Sequence, residues 1–302
     1  MSYVSLPSSH AVQVNVGTTI NIAGTVSKDP YRFGINLFTG ADENNSALHI
    51  SNRFDGNVVV TNAKSQTRYG SEERPGQFPF ARGESFIISI VTTADSFVIK
   101  VNGQLIHAFK HRGPFANVKR VSVFDNPKGG YPSVQITHVS VQNPGSPLTV
   151  FTHQVAMPHK TQVRLTPGCV IHMLGAVSHD PHRFNVNLAA SPDESHNCLH
   201  FNPRFDANKL VLNAKNHGKY GGEEKPAAFP FTRGEGFHVI FRVQAGGYDV
   251  IINGAHVHTF NHRIPVDQVQ SVVINDQPKG GNPSVYVAHV TVVGADGQTL
   301  VP

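Results

Sequence analysis

Apolar and polar residues alternate with a period of two along much of the chain. Phe237, Val239, Phe241 and Val243 recur at every second position, with the polar His238 and Arg242 among the residues between them. A β-strand directs successive side chains to opposite faces, so this pattern predicts strands that bury one face. No window carries a helical stripe, and a single helical turn is predicted near residues 265–268.

Turn sequences divide the chain into short segments. Asn102–Gly103 separates the apolar runs 98–101 and 104–109, and Asn253–Gly254 repeats this arrangement later in the chain. Asn-Gly between two such runs is the strongest short-range signal for a β-hairpin. Val12–Val16 also alternates and ends at a glycine, which predicts a strand. Because turn signals recur roughly every 8–12 positions, the pattern predicts an all-β sandwich fold.

The second half of the chain repeats the first half at a constant offset of 151 positions. Residues 200–225, for example, align without gaps on residues 49–74. A chain of 302 residues is long enough for two domains, and a half of about 150 residues buries enough surface to fold without cross-links. We therefore predict domains at residues 1–142 and 153–302, joined by a short linker at 143–152.

Composition narrows the class of protein. Cys169 and Cys198 have no counterparts in the first half, which favours folding in a reducing compartment, although the sequence leaves a bond between them open. The first residues lack the basic and apolar regions of a signal peptide, and no segment reaches the ~18 apolar residues of a membrane span. The net charge of +5 is dispersed. We expect neither nucleic-acid binding nor membrane insertion.

One stretch, residues 200–225, concentrates polar side chains. His200, Asn202 and Arg204 occupy alternate positions, so a strand would direct all three to one face. Sugars need directional partners for their hydroxyls and a flat ring for their apolar face. The candidate carbohydrate-binding residues are His49, Arg53, Asn62, Tyr69, Glu72 and Arg74 in the first half, and His200, Asn202, Arg204, Asn213, Tyr220, Glu223 and Lys225 in the second half.

The spacing of these residues resembles the signature of galectin carbohydrate-recognition domains. The family pattern H-x-N-P-R, V-x-N and W-G-x-E-x-R is followed closely by HFNPR, VLN and YGGEEK, and in the first half by HISNR, VTN and YGSEER. The FPF-x-x-G and F-x-H-R segments of both halves are also similar to the family. The whole chain thus resembles a tandem-repeat galectin. This resemblance implies two jelly-roll-like antiparallel β-sandwich domains of the galectin and concanavalin A-like type, each with a concave face for a β-galactoside.

The resemblance also implies a role for each candidate residue. In the second half, His200 and Arg204 would bond the axial 4-hydroxyl of galactose, where Asn202 adds a further contact. Asn213 would bond the 6-hydroxyl. Glu223 would bridge to the arginine and contact the 6-hydroxyl or the next sugar, supported by the neighbouring lysine. The first-half counterparts would take the same roles.

Three departures from the family pattern predict two unequal sites. The chain has no Trp, and Tyr69 and Tyr220 occupy the stacking position, which predicts weaker stacking. Ser51 stands where the second half has Asn202, and its shorter side chain leaves room for a bridging water. Lys225 replaces an arginine and lacks its planar fork. We expect the first site to diverge around its histidine and the second around its supporting cation.

Enzymatic functions are disfavoured by the spacing of the carboxylates. Glycoside hydrolysis needs two carboxylates about 5–10 Å apart across the bond, whereas Glu72–Glu73 and Glu223–Glu224 are neighbours that point to opposite faces of a strand. His256 and His258 have the spacing of metal ligands, but no third ligand accompanies them, so neither a metal nor a cofactor is expected.

We therefore interpret the chain as a bivalent β-galactoside-binding lectin that cross-links galactose-containing glycans on glycoproteins or glycolipids. The alternative is a galectin-like scaffold with lost or altered sugar specificity that acts through protein–protein contacts. The polar row present in both halves speaks against that alternative. The resemblance to galectins implies synthesis in the cytoplasm and export by an unconventional route that needs no signal peptide. The sequence leaves the oligomeric state and the physiological glycan open.

Overall fold

The chain folds into two compact units, Met1–His153 and Gln154–Pro302. A computed structural model describes residues 4–146, 149–150 and 155–301. Each unit consists of two six-stranded antiparallel sheets, which confirms the all-β sandwich prediction. The predicted linker, 143–152, lies partly outside the described residues. Within it, Thr149–Val150 forms a short strand that pairs with Ser140 and Val141.

The first unit contains a front sheet, which carries the candidate residues, and a back sheet. The front sheet has the order β1-β10-β3-β4-β5-β6, and the back sheet has the order β12-β11-β2-β7-β8-β9. The strands are β1 (Ser8–Ala11), β2 (Thr19–Val26), β3 (Arg32–Phe38), β4 (Ser46–Arg53), β5 (Val58–Ser65), β6 (Arg68–Tyr69), β7 (Ser85–Thr92), β8 (Ser96–Val101), β9 (Gln104–Lys110), β10 (Arg120–Asn126), β11 (Val134–Gln142) and β12 (Thr149–Val150). A 3₁₀ turn at Phe115–Asn117 precedes β10.

The second unit repeats this arrangement. Its front sheet has the order β13-β22-β15-β16-β17-β18, and its back sheet has the order β21-β20-β19-β14-β23-β24. The strands are β13 (His159–Gln162), β14 (Val170–Val177), β15 (Arg183–Ala189), β16 (Asn197–Arg204), β17 (Lys209–Asn216), β18 (Lys219–Tyr220), β19 (Gly236–Val243), β20 (Gly247–Ile252), β21 (Ala255–Asn261), β22 (Ser271–Gln277), β23 (Val285–Val293) and β24 (Thr299–Val301). A 3₁₀ turn at Val266–Gln268 matches the predicted helical turn.

The two sheets of each unit enclose an apolar core to which alternate residues of each strand contribute. On β4, Leu48 and Ile50 are buried in the core of the first unit, so their neighbours in sequence point to the outer face of the front sheet. Phe33 of the front sheet stacks on Phe86 of the back sheet, with ring centroids 5.3 Å apart. Full burial of side chains of this size contributes about 1.5–3 kcal/mol each. This packing holds the outer face of the front sheet in place.

The predicted hairpins are confirmed, and one predicted strand is wrong. Asn102 and Gly103 have φ angles of 49° and 77° and join β8 to β9, as a two-residue hairpin turn requires. The strand predicted at Val12–Val16 lies instead at Ser8–Ala11, where the chain pairs with β10. In the segment 12–16, Val14 inserts into the core and is 1% exposed, whereas Val16 is 52% exposed, so the valines do not form one buried strand face.

Cys169 and Cys198 are both buried and unbonded. Both belong to the core of the second unit, and burial raises the pKa of the Cys198 thiol to about 11. These thiols therefore serve as small apolar core groups. Over the described residues, no helix has both the length and the apolar character needed to cross a membrane.

Candidate carbohydrate-binding sites

The front sheet of each unit lines up three polar side chains across neighbouring strands. In the second unit, His200 on β16 lies directly opposite Asn187 on β15 and Asn213 on β17. In the first unit, His49 has the same two neighbours, Asn36 and Asn62. Directly paired residues on adjacent strands point to the same face. The duplication in sequence thus becomes the same row of side chains on two separate sheets.

The hydrogen bonds of His200 fix which ring nitrogen carries the proton. The carboxylate of Glu194 accepts a bond from Asn187 Nδ2, and since a carboxylate only accepts, the amide must present its oxygen to the histidine. His200 Nδ1–H then donates to Asn187 Oδ1 at 2.6 Å. Burial, helped by the charges of Arg204 and Lys215, lowers the pKa of His200 to about 4. The ring is therefore neutral near pH 7, and its Nε2 is left as an acceptor for a ligand hydroxyl.

His49 of the first unit is held in the same way by its asparagine. Its Nδ1 lies 2.7 Å from Asn36 Oδ1, and burial followed by the charges of Lys64 and Arg53 lowers its pKa to about 4. The counterpart of Glu194 is Glu43, which is exposed and forms no bond to Asn36 among the described residues. The two histidines thus offer the same acceptor, but only the second is fixed through a carboxylate.

An arginine–glutamate–cation ladder borders the histidine of the second unit. Arg204 Nη2 donates to Glu223 Oε1 at 2.8 Å, and Lys225 Nζ lies 2.8 Å from Glu223 Oε2. Arg204 Nε also donates to Asn202 Oδ1 at 2.8 Å. The hydrogen bond from Lys225, followed by that from Arg204, lowers the pKa of Glu223. These contacts hold the guanidinium plane in one orientation.

The first unit builds the same ladder from partly different residues. Arg53 Nη2 lies 2.8 Å from Glu72 Oε1, and Arg74 Nη2 lies 2.8 Å from the other oxygen, Oε2. The hydrogen bond from Arg74, followed by that from Arg53, lowers the pKa of the Glu72 carboxyl. Arg53 Nε reaches Ser51 Oγ at a longer 3.2 Å. The shorter serine therefore holds Arg53 less closely than Asn202 holds its arginine.

Asn213 and Tyr220 complete the row on the side of β17 and β18. Asn213 is 3% exposed; its Nδ2 donates to Gly221 O at 2.9 Å, and its Oδ1 accepts from the backbone N–H of Ala214 at 2.8 Å. The Tyr220 ring is 51% exposed, and its centroid lies 5.0 Å from that of His200. Tyr69 stands in the same relation to His49, also at 5.0 Å. Each unit thus sets an open aromatic face beside its histidine.

The structure brings the predicted candidates of each half together. Six of them line a groove of 640 Å³ in the second unit, namely His200, Asn202, Arg204, Asn213, Tyr220 and Glu223. The remaining candidate, Lys225, lies behind Glu223 and contacts it. A ligand in this groove would meet neutral acceptors, amides, a guanidinium and a phenol ring.

A second layer of residues supports the row and was missed in the sequence. Arg263 Nη1 donates to Asn213 Oδ1 at 3.1 Å and to Gly222 O at 2.7 Å, and its Nη2 lies 2.5 Å from Glu224 Oε1. His258 Nε2 contacts the other oxygen of Glu224 at 2.6 Å. Arg112, Glu73 and His107 repeat this cluster in the first unit. The recurring F-x-H-R segment and the second Glu of each Glu-Glu pair were the available signals.

Three further histidines outside the row have protein partners. His111 Nε2 contacts Thr93 O at 3.1 Å and His262 Nε2 contacts Gln244 O at 3.0 Å. His256 Nε2 lies 2.9 Å from Thr259 Oγ1. Among the described residues, no group of three His, Cys, Asp or Glu side chains is placed to hold a metal ion.

An antiparallel sandwich whose open sheet carries a neutral histidine, an arginine–glutamate ladder and an exposed ring is typical of a sugar-binding lectin domain. The model of one family, the galactoside-binding lectins, matches residues 6–127 and 156–279. The chain therefore belongs to the galactoside-binding lectin family and is a tandem galectin with two carbohydrate-recognition domains. This is a family of lectins and not of enzymes.

Several known proteins are similar to this chain. The chain is 28% identical over 265 residues to a 32 kDa beta-galactoside-binding lectin of Haemonchus contortus, covering 87% of this chain and 88% of that protein. It is also 28% identical over 282 residues to human galectin-4, covering 84% and 86%. Among solved structures, a double variant of human galectin-16 aligns with a TM-score of 0.43 and 28% identity, covering 47% of this chain and 99% of that one.

Proposed function

We propose that this protein is a bivalent lectin that binds β-galactosides through two unequal sites and so cross-links galactose-containing glycoconjugates. The observation that carries the proposal is the repeated row of histidine, arginine and asparagine beside an exposed tyrosine on the front sheet of each unit. The beta-galactoside-binding lectin of Haemonchus contortus, similar to this chain over most of both lengths, also supports it.

In the proposed complex, the axial 4-hydroxyl of galactose sits between the histidine and the arginine. His200 Nε2 accepts a hydrogen bond from it, and the guanidinium of Arg204 donates one to it. A site built this way rejects the epimer with an equatorial hydroxyl, because its own buried groups would be left unpaired. Asn213 serves the 6-hydroxyl, and the apolar face of the sugar lies on Tyr220. His49, Arg53, Asn62 and Tyr69 take these roles in the first unit.

The two proposed sites differ in how firmly each holds its arginine. Asn202 lies closer to Arg204 than Ser51 lies to Arg53, whereas the first ladder ends in Arg74 and the second in Lys225. Tyrosine in both stacking positions gives a smaller platform than an indole. We therefore propose two different affinities for the same disaccharide.

The domain boundaries and the route of export belong to the same proposal. Residues 1–142 and 153–302 are proposed as the two carbohydrate-recognition domains, with 143–152 as the linker. The family resemblance supports synthesis in the cytoplasm and export that bypasses the signal-peptide route. Release into the medium of cells whose secretory pathway is blocked would support that route, and loss of release under the block would contradict it.

Retention on lactose–agarose tests the sugar-binding proposal. The wild-type chain should bind and elute with free lactose. Arg53→Ala and Arg204→Ala should each leave one functional site, and the double variant should flow through. Arg242→Ala, an exposed arginine on the back sheet, is the matched control and should be retained. Retention of the double variant would place binding outside the proposed rows.

Cross-linking needs both sites and is tested separately. The wild-type chain should aggregate a multivalent galactose-bearing glycoprotein, with turbidity that lactose reverses. Either single variant should bind the glycoprotein without aggregating it, since linked sites act together only when both bind. Undiminished aggregation by a single-site variant would contradict the proposed bivalency.

A further inference from the structure

A hollow of 410 Å³ lies at the start of β4 in the first unit. Its apolar lining comes from Ala47, Ala63 and Pro114, and Gly113 lies on its wall; we call it the edge hollow. Among the described residues of the first unit's sugar-binding row, only Tyr69 borders it. Its volume falls within the ~300–1,000 Å³ that is usual for small-molecule sites. The edge hollow is therefore large enough for a ligand of its own.

The second unit has two larger side chains at the corresponding positions. Ile264 stands where the first unit has Gly113, and Cys198 stands where it has Ala47. Both belong to the core of the second unit, where Ile264 is 7% exposed and Cys198 is 0% exposed. The fold therefore accepts a branched aliphatic group of four carbons at this place. The first unit lacks that group and has a hollow there instead.

The backbone of the first unit does not require the glycine. The φ angle of Gly113 lies outside the left-handed range that favours this residue. A Cβ built on Gly113 would meet no described atom within 4 Å. The open space beside Gly113 thus results from the missing side chain and not from a strained turn or a close approach of backbone.

The charged residues around the edge hollow are all cations. Lys64, Arg68 and Arg112 line it, and none of the described lining residues is an Asp or a Glu. Arg112 is paired with Glu73. Lys64 Nζ lies over the Tyr69 ring, 5.4 Å from its centroid, and over the described residues neither Lys64 nor Arg68 forms an ion pair. Two cations are thus available to an anionic group of a ligand.

A buried hydroxyl beside these cations lacks a hydrogen-bond partner. Ser46 borders the edge hollow and is paired directly with Lys64 across β4 and β5, so both side chains point to one face. Ser46 is 2% exposed, and its Oγ has no partner within the part of the chain that the structure describes. A carboxylate only accepts hydrogen bonds, so its oxygen would provide the acceptor that this hydroxyl lacks.

We propose that the edge hollow is a second binding site of the first unit, separate from the sugar-binding row, for a small amphipathic anion. The ligand is an aliphatic chain of about four to six carbons that ends in a carboxylate. Its chain takes the place that the Ile264 side chain has in the second unit, and its carboxylate lies at Lys64, Arg68 and Ser46. Each methylene that the hollow buries strengthens binding about fourfold.

Titration of the full-length chain, followed by backbone-amide NMR, tests this proposal with three probes. Hexanoate carries both the tail and the charge, acetate carries the charge alone, and hexylammonium carries the tail with the opposite charge. Hexanoate should shift the amide signals of Ala47, Gly70 and Gly113. It should bind at least about tenfold more tightly than acetate, because the burial of two methylenes is already sufficient for that ratio. Hexylammonium should bind at least about tenfold more weakly than hexanoate.

A reciprocal exchange between the units provides the matched variants. Gly113→Ile should fill the edge hollow and lower the hexanoate affinity at least about tenfold, while the chain stays on lactose–agarose. Ile264→Gly should give the second unit a hexanoate site, with new shifts at Cys198. Arg68→Gln changes only an exposed side chain and should weaken hexanoate binding about two- to fivefold. This variant keeps the proposal testable if an exchange in the core fails to fold.

Several outcomes would overturn the proposal. Acetate or hexylammonium that binds as tightly as hexanoate would show that the site does not select an amphipathic anion. Displacement of hexanoate by lactose, with shifts centred on His49 and Arg53, would place the anion in the sugar groove. An unchanged hexanoate affinity in Gly113→Ile or in Arg68→Gln would exclude the edge hollow. Lactose retention is measured separately, so failure of the sugar-binding proposal would be recognised independently.

Discussion

Arg263 tests whether the second layer positions the sugar-binding row. Replacing it by alanine removes its bonds to Gly222 O and Asn213 Oδ1 and its ion pair with Glu224. The two bonds to neutral acceptors contribute about 0.5–1.5 kcal/mol each. The ion pair adds ~0–1 kcal/mol, because both side chains are about one-third exposed. Arg263→Ala should therefore lower the free energy of unfolding by about 1–4 kcal/mol.

The effect on sugar binding should be smaller than the effect on stability but measurable. Asn213 keeps its bonds to Gly221 O and to the N–H of Ala214, so its side chain loosens without being released. Loss of about one hydrogen bond to the 6-hydroxyl corresponds to a roughly fivefold larger dissociation constant for lactose. The lactose affinity of Arg263→Lys should lie between those of the wild type and Arg263→Ala, because a single ammonium cannot reproduce the planar fork of a guanidinium.

Calorimetry with lactose on the Arg53→Ala chain measures the affinity, and thermal unfolding measures the stability. Arg112→Ala on that chain is the matched control, because it removes the equivalent cluster from the first unit and should leave lactose binding at the second site intact. A drop in melting temperature with a dissociation constant changed by less than about twofold would refute a positioning role and leave Arg263 with a structural one.

Four further predictions concern the row and the cation beside it. Lactose binding should hold from pH 8 to 6 and fall as the pH drops through about 4, where His49 and His200 become protonated and Nε2 no longer accepts; binding that is constant down to pH 3.5 in a folded chain would contradict the assigned tautomer. In the folded chain the pKa values of His49 and His200 lie at about 4, below the 6.5 of an ordinary histidine. Between these two pH values the unfolded chain binds more protons than the folded chain, so the free energy of unfolding should rise with pH from about 4 to about 6.5 and level off above it. Lys225→Arg should tighten lactose binding at the second site by about two- to threefold through a second N–H bond to Glu223, measured by calorimetry, and weaker binding would refute a supporting role for this cation. Tyr220→Trp should strengthen binding by roughly two- to fivefold through a larger stacking face, whereas Tyr220→Ala should weaken it; equal affinities of the three forms on lactose–agarose would exclude stacking on this residue.

Much of the fold follows from patterns that are local in sequence. The period of two predicted strands because a pleated chain buries every second residue, and Asn-Gly predicted hairpins because only such residues adopt two successive positive φ angles without strain. Val12–Val16 shows the limit of this reasoning. In this segment one valine is inserted into the core next to a short edge strand. Periodicity alone does not distinguish a strand from an extended loop that buries one side chain.

The candidate row could be predicted because its chemistry lies on one strand and its immediate neighbours. His200, Asn202 and Arg204 share a face whatever the rest of the molecule does. Arg263 and Glu224 could not be predicted in the same way, because their contact joins residues far apart in the chain. Neighbouring residues of an extended chain point to opposite faces, but nothing local shows that the face away from the row meets Arg263.

The amino-acid sequence by itself thus determined the duplication, the strands and the identity of the polar row, since each depends on residue type and short spacing. Only the tertiary structure decided what surrounds that row. The pairing of β10 with β3 places Phe124 over Gly34, and the pairing of β22 with β15 places Asn275 beside Asn185. Such neighbours are brought together by sheet topology, which joins strands distant in the chain, and so one row of residues acquires two different surroundings.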